Sequence, residues 1–165
     1  RRGLGACASA RGAALTEAQR VPGAVGSGGA GHLAPSPGLD GLPELVENAR
    51  NADVQVELDR GTIPALPAAV QLAAYRIVQE ALTNVIKHAA APARCTVRIT
   101  AEPGELHLAV IDDGIPRRPA GEPGHGLIGM RERAALHHGT LMAGPQASGG
   151  FAVHACLPYQ APGSA

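Results

Sequence analysis

The sequence predicts an α/β (α+β) fold in which one β-sheet is covered by helices on a single face. Three observations lead there. A long run after Pro67 carries one apolar stripe at helical spacing, enough for a major helix. Five short runs have strand character, and they fall in hairpin-like pairs rather than in repeated strand–helix–strand units. With 165 residues and 45% apolar content, the chain can bury one core of ordinary size but not two.

Residues 1–37 are dominated by Gly, Ala, Ser and Pro, a composition that offers little apolar area to offset the entropy of ordering. They are expected to be disordered, as is a tail over 160–165, leaving 38–159 as the folded domain. Leu42, Leu45, Val46 and Ala49 fall at i, i+3, i+4 and i+7, giving a short helix with Pro43 in its first turn. Val54, Val56 and Leu58 alternate with Gln55 and Glu57, which predicts a half-buried strand. Pro67 opens the long helix, with Ala74, Val78, Ala81, Leu82, Val85 and Ala89 on its buried stripe and an end before Pro92.

Cys95, Val97 and Ile99 alternate again. Glu102-Pro103-Gly104-Glu105 has turn chemistry, and Leu106 to Ile111 returns as a second strand, so a β-hairpin is expected. Asp112 to Gly126 is rich in Gly and Pro and predicts a loop; Leu127 to His137 resumes helical character. Thr140–Ala143 and Phe151–Leu157 read as closing strands around the run Gly144 to Gly150.

Composition excludes several classes of function. Fourteen basic and fourteen acidic residues leave no global field for nucleic acid or an anionic membrane. No stretch approaches the roughly 20 apolar residues of a membrane span, so a soluble, cytoplasmic chain is expected. Cys7, Cys95 and Cys156 are odd in number and far apart, and the seven histidines show no ligand spacing. No metal cluster built from protein ligands is therefore expected.

The residues suited to chemistry lie on the long helix and after the hairpin. At 100° per residue, Glu80, Asn84 and Lys87 fall within about 60° of one another, with Arg76 beside them and His88 at the edge, opposite the apolar stripe. A carboxylate and an amide oxygen one turn apart suit a hard cation such as magnesium, and a lysine one turn further can meet phosphate. Taken alone, the pattern also fits an ordinary solvated helix face. Asp112-Asp113-Gly114 then places carboxylates at the end of an apolar strand, where one can accept a hydrogen bond from an exocyclic amine such as that of adenine. Gly124, Gly126 and Gly129 stand where a helix begins, so backbone N–H groups and the positive helix end can approach phosphate. No Gly-Lys-Ser/Thr follows, so this is not a Walker loop.

In order and spacing these segments resemble the ATPase domain of sensor histidine kinases. Ala74-Tyr75-Arg76-Ile77-Val78-Gln79-Glu80-Ala81-Leu82-Thr83-Asn84-Val85-Ile86-Lys87-His88-Ala89 resembles the asparagine box of the nitrate-sensor and desaturase-sensor subfamily. Asp112-Asp113-Gly114 resembles the first glycine box, and Gly124-His125-Gly126-Leu127-Ile128-Gly129-Met130-Arg131-Glu132-Arg133 the second. The resemblance covers about Leu33 to Pro158. It implies the Bergerat fold, a two-layer α/β sandwich of a mixed sheet with helices on one face, shared with gyrase, Hsp90 chaperones and MutL-type repair ATPases.

It further implies ATP and Mg as cofactors. Asn84 would ligate magnesium, with Glu80 reaching the ion through water; Glu80 would also orient or deprotonate the attacking group. Lys87 and His88 would touch phosphates, Asp112 would bind the adenine amine, and Gly114 would let the base approach. Gly124, His125, Gly126 and Leu127 would line the phosphate side at the hinge of a lid over Ile115–Pro123 that carries Arg117 and Arg118. The implied activity is that of a protein histidine kinase. Its partners would be a histidine-containing dimerisation domain, in cis in a parent protein or in trans, and then a response regulator, with no nucleic acid and no direct membrane contact.

The alternative is an anti-sigma factor acting as a serine kinase on the same fold, or a degenerate ATP-binding docking module. The chain departs from the family pattern at Pro116, where a second glycine is usual, at His137-His138, and at Phe151, where distant relatives use threonine; the last two are read as packing variants. Nothing in residues 1–37 matches an acceptor-histidine hairpin, and His32 is followed by Leu33. The expectation is a catalytic portion whose acceptor histidine and membrane sensor are missing from this chain.

Overall fold

The computed structural model describes residues 37–89, 93–115 and 125–160. Nearly all of the segment expected to be disordered, the tail beyond Gln160, and Pro116, Arg117, Arg118 and Gly124 of the expected lid and hinge lie outside the described residues. After a single 3₁₀ turn, Leu39–Gly41, the elements are α1 (Leu42–Arg50), β1 (Val54–Arg60), α2 (Ala68–His88), β2 (Ala93–Glu102), β3 (Glu105–Asp112), α3 (His125–Leu136), β4 (Thr140–Pro145) and β5 (Phe151–Pro158). Each expected helix and strand is present in the expected order.

The five strands form one mixed sheet in the order β1-β2-β3-β5-β4. β1 and β2 pair in parallel, with Val54 opposite Ala93 and Arg60 opposite Ile99, while the remaining pairs are antiparallel. The chain thus contains one βαβ unit, β1–α2–β2, which hairpin spacing alone did not reveal. Parallel neighbours need a long crossover, and the 21-residue α2 supplies it.

Period-2 alternation decides which sheet face is dry. Val54 and Val56, then Ala93, Cys95, Val97 and Ile99, then Leu106, Leu108 and Val110, then Val153, Ala155 and Leu157 are buried beneath the helices. α2 covers them with Ala74, Ile77, Val78, Ala81, Leu82 and Val85, and α3 adds Met130 and Ala134. Each large side chain at 0% exposure, such as Ile77, Ile99, Leu106 or Leu157, contributes roughly 1.5–3 kcal/mol over an exposed one. The opposite sheet face carries Arg94, Arg98 and His154 and is exposed to solvent among the described residues.

Local chemistry explains the element ends. Pro67 precedes α2 and its carbonyl accepts from Val70 N–H (3.0 Å) and Gln71 N–H (3.1 Å), while Ala89 N–H closes the far end on Val85 O at 2.9 Å. The β2–β3 turn has Pro103 followed by Gly104 at φ 85, a pairing that favours a type II turn. His138 takes a left-handed φ of 57 after α3, with Gly139 N–H reaching Ala134 O and His138 N–H reaching Ala135 O at 2.9 Å each. That is a Schellman cap with histidine where glycine is usual. His138, which is exposed, therefore sets a turn rather than filling packing space, while His137 is partly buried. On the sheet's outer edge, the Arg50 guanidinium donates to Val56 O from both Nη2 (2.7 Å) and Nε (3.2 Å), occupying a carbonyl of the edge strand β1. No helix among the described residues is long and apolar enough to cross a membrane.

Candidate functional site

The 3.6-residue period of α2 that buries Ala81 and Val85 turns Glu80 and Asn84 outward, where both are half-buried, with Lys87 and His88 exposed at the helix C-terminus. α3 packs directly against this face. A Cβ on Gly126 would collide with Glu80 Oε1, and would stand 3.2 Å from Glu80 Cδ and 3.4 Å from Asn84 Nδ2. Glycine at 126 is thus what lets the start of α3 lie on the Glu80–Asn84 pair. His125 is exposed at that helix start, and Leu127 is partly buried against the core. The first N–H groups of α3 have no partner within the helix. They open beside a carboxylate and an amide, an arrangement able to place phosphate, cation and an attacking group together.

Arg76 does not join this group. Its Nη1 donates to Gln79 Oε1 at 2.8 Å and its guanidinium lies 5.9 Å from the Tyr75 ring centroid.

The second half of the site forms at the end of β3. Asp112 is the buried acidic residue among the described residues, 7% exposed, and its Oδ1 accepts from Gly114 N–H at 2.9 Å. Burial pushes its carboxyl above the usual aspartate range; the backbone N–H groups of Gly114 and Phe151 oppose that shift, and Asp113 adds to it. A carboxylate held by backbone donors in an apolar setting is suited to a single amine donor from a ligand. Gly114 is needed for closeness, since a Cβ there would meet Ala89 Cβ at 2.5 Å where α2 ends. The two halves are therefore joined through the C-terminal end of α2.

Gly150 and Gln146 are invisible as site residues in the sequence, and Phe151 reads there only as a packing variant. Gly150, at φ 82, lies so close to the Asp112 carbonyl that any Cβ would overlap it. Phe151 pairs with Asp112 across β3 and β5 and is partly buried, so its backbone, more than its ring, bears on the carboxylate. Gln146 Nε2 donates to Asp112 O at 3.3 Å. The signal that could have found them is the run Gly149-Gly150 immediately before the β5 alternation. Cys95, opposite Asp112 on β2, is a buried thiol pushed up to about 12 by burial and by that carboxylate, hence inert at neutral pH.

A hollow of about 1190 Å³ opens where β1, β2 and β3 meet the β4–β5 turn. It shares Asp112 and Asp113 with the site but includes none of Glu80, Asn84, Lys87 or Gly126. Its polar lining, with Arg50, Glu57 and Arg94, lies at the strand ends away from α2, and the chemistry is not assigned to it.

With Glu80, Asn84 and Gly126 on one side and Asp112 and Gly114 on the other, the comparisons with known proteins decide the matter. Residues 69–161 match the family of histidine kinase-, DNA gyrase B- and HSP90-like ATPases. The chain belongs to this family. It is an ATP-binding domain with the fold of histidine kinase catalytic domains. It is 34% identical over 119 residues to the sensor histidine kinase LnrJ of Bacillus subtilis, covering 71% of this chain and 29% of that protein. To the nitrate/nitrite sensor protein NarQ of Escherichia coli it is 32% identical over 114 residues, 67% of this chain and 20% of that one. The chain thus spans under a third of the length of these relatives. Among solved structures, the blue-light activated histidine kinase of Erythrobacter litoralis EL346 superposes with a TM-score of 0.60 at 21% identity, over 72% of this chain and 40% of that one.

Proposed function

We propose that this domain is the catalytic part of a two-component sensor kinase. It transfers the γ-phosphoryl of ATP to a histidine on a dimerisation domain, in the same parent protein or in trans, for relay to a response regulator. The observation that carries the reading is the seating of Gly126 on Glu80 and Asn84, which fixes the second glycine box against the asparagine box. The sensor histidine kinases among the relatives favour it over a serine-phosphorylating anti-sigma factor or an inactive docking module.

Each residue then has a task. Asp112 accepts from the adenine amine, and Gly114 leaves space for the ring. Lys87 and His88 meet phosphate oxygens, joined by backbone N–H groups from His125, Gly126 and Leu127 at the start of α3; the resemblance extends that task to Gly124, which lies outside the described residues. Glu80 orients the attacking imidazole or takes its proton. Mg²⁺, when bound, neutralises charge on the transferring phosphoryl group. The amide oxygen of Asn84 would hold it, with Glu80 through a water; two half-buried oxygen donors one helical turn apart fit such a hard, hydrated cation. The resemblance gives Arg117 and Arg118, outside the described residues, the task of supplying positive charge to the phosphates. The domain is placed in the cytosol, where ATP and a response regulator are available.

Asn84→Ala tests the reading, since the side chain faces the site and not the core. Magnesium-dependent ATP affinity, measured by calorimetry, should fall at least about tenfold, as expected for loss of a ligand to a metal–phosphate centre, with the circular dichroism spectrum unchanged. Equal affinity in wild type and variant would reject the assignment.

A further inference from the structure

The antiparallel pairing of β3 with β5 sets His107 directly opposite Cys156, and the period of two puts Glu105 on the same face of β3. Glu102, at the end of β2, pairs with Glu105. Four potential ligand residues, separated by up to 54 positions in sequence, thus meet on the sheet face away from α2 and the nucleotide site. One carboxylate oxygen of Glu105, one imidazole nitrogen of His107 and the Cys156 sulfur all lie within 4.8 Å of one another. His107 Nε2 stands 3.3 Å from Glu105 Oε2 and 4.0 Å from Glu102 Oε2. Although buried, this nitrogen makes no hydrogen bond among the described residues.

An unpartnered buried imidazole nitrogen aimed among a thiol and a carboxylate is costly unless something else satisfies it. We propose that Glu105, His107 and Cys156 form a zinc site. Nitrogen, sulfur and oxygen donors together are the set that borderline Zn²⁺ selects. With Zn–ligand bonds of about 2.0–2.3 Å, tetrahedral donors stand roughly 3.3–3.8 Å apart. The His107–Glu105 separation already meets this, and the others need only a small side-chain rotation. Three protein ligands leave a coordination position open. His107 and Cys156 also line a hollow of about 270 Å³ with Arg98, Thr100, Met142 and His154, which has room for water or a small anion. The sequence concealed this cluster because its spacing exists only through strand register. The proposal departs from the expectation, drawn from sequence spacing, of no protein-ligand metal cluster.

The test is titration of the tag-free, metal-stripped chain with cobalt(II), followed by zinc(II) in competition. The proposal expects one equivalent bound, with thiolate-to-cobalt charge transfer in the near ultraviolet that zinc abolishes. Cys156→Ser should remove the band. His107→Ala and the surface change Glu105→Gln should each weaken binding by at least about tenfold. Cys95→Ala, buried on the other face, and His154→Ala, within the hollow but outside the cluster, should leave it intact. Circular dichroism checks folding of each variant, and Glu105, half exposed, cannot compromise the core. Absence of the band at saturating cobalt, its survival in Cys156→Ser, or unchanged affinity in Glu105→Gln would overturn the site. Because the cluster shares no residue with the nucleotide face, ATP affinity measured alongside distinguishes failure here from failure of the kinase reading.

Discussion

Gly126→Ala isolates what the contact between α2 and α3 does. The added methyl group would overlap Glu80 Oε1 while standing 3.2 Å from Glu80 Cδ and 3.4 Å from Asn84 Nδ2. Asn84 need hardly move. The Glu80 carboxylate must withdraw by roughly 1 Å to regain ordinary contact distance. As the end of a flexible, half-buried side chain it can do so at little cost to the fold, and alanine gains about 0.8–1 kcal/mol over glycine in a helix. The two effects nearly cancel, so stability by urea unfolding should stay within about 1 kcal/mol of wild type.

Chemistry has no such compensation, since a displacement of about 1 Å at a reacting group can lower a rate by roughly 100-fold. Phosphotransfer from ATP to a dimerisation domain supplied in trans should fall by about that factor. Gly129→Ala is the control: on the same helix, its Cβ would meet only the tip of Arg133, Nη1 at 3.3 Å. It should gain the same helix stability and keep full activity. Wild-type transfer in Gly126→Ala, or an equal loss in Gly129→Ala, would refute the role given to the Glu80 contact.

Asp112→Asn keeps an acceptor for Gly114 N–H but removes a buried charge. Since burial raises the folded-state pKa, folding stability of the wild type should decline as pH rises from the ordinary aspartate value through the raised one, and that cost persists at neutral pH. The variant should therefore flatten the acid-range profile and melt no lower than wild type at pH 7, while ATP affinity falls by about tenfold or more as an amide N–H₂ opposes the adenine amine; scanning calorimetry across pH and nucleotide titration check both. Gly150→Ala combines a left-handed φ with overlap of the Asp112 carbonyl, and should cost at least about 2 kcal/mol in urea unfolding, whereas Gly144→Ala, with nothing within 4 Å, should be nearly neutral.

The elements were legible because each is written in a local period. The stripe from Ala74 to Ala89 marks α2, the alternation at Cys95, Val97 and Ile99 marks β2, and Pro103-Gly104 marks the hairpin turn. Pairing is not local. Nothing in Val54 to Arg60 says that it will lie parallel to β2, and nothing near His107 says that Cys156 will face it. The site divides along the same line. Glu80, Asn84 and Lys87 share a face by helical geometry, and their partnership with Gly126 came from the resemblance, since it depends on how α3 docks. Gly150 and the backbone of Phe151 escaped notice because they act by φ and by main-chain donors, which carry no side-chain signature.

Asp112 is oriented by main-chain groups, from Gly114 just beyond its strand and from Phe151 on a neighbouring one, with Gly150 pressed against its carbonyl. Glu80, by contrast, takes its position from a glycine on a helix that touches it sideways. On the proposed roles, recognition of the base is built into the hydrogen-bond lattice of the sheet, which can open only when the strands separate. Placement of the proposed reacting group, Glu80, then rests on how two helices meet, and a rotation of α3 can alter it without unpairing a strand. A parent protein that repositions α3 could change the rate of transfer while ATP stays anchored by its adenine.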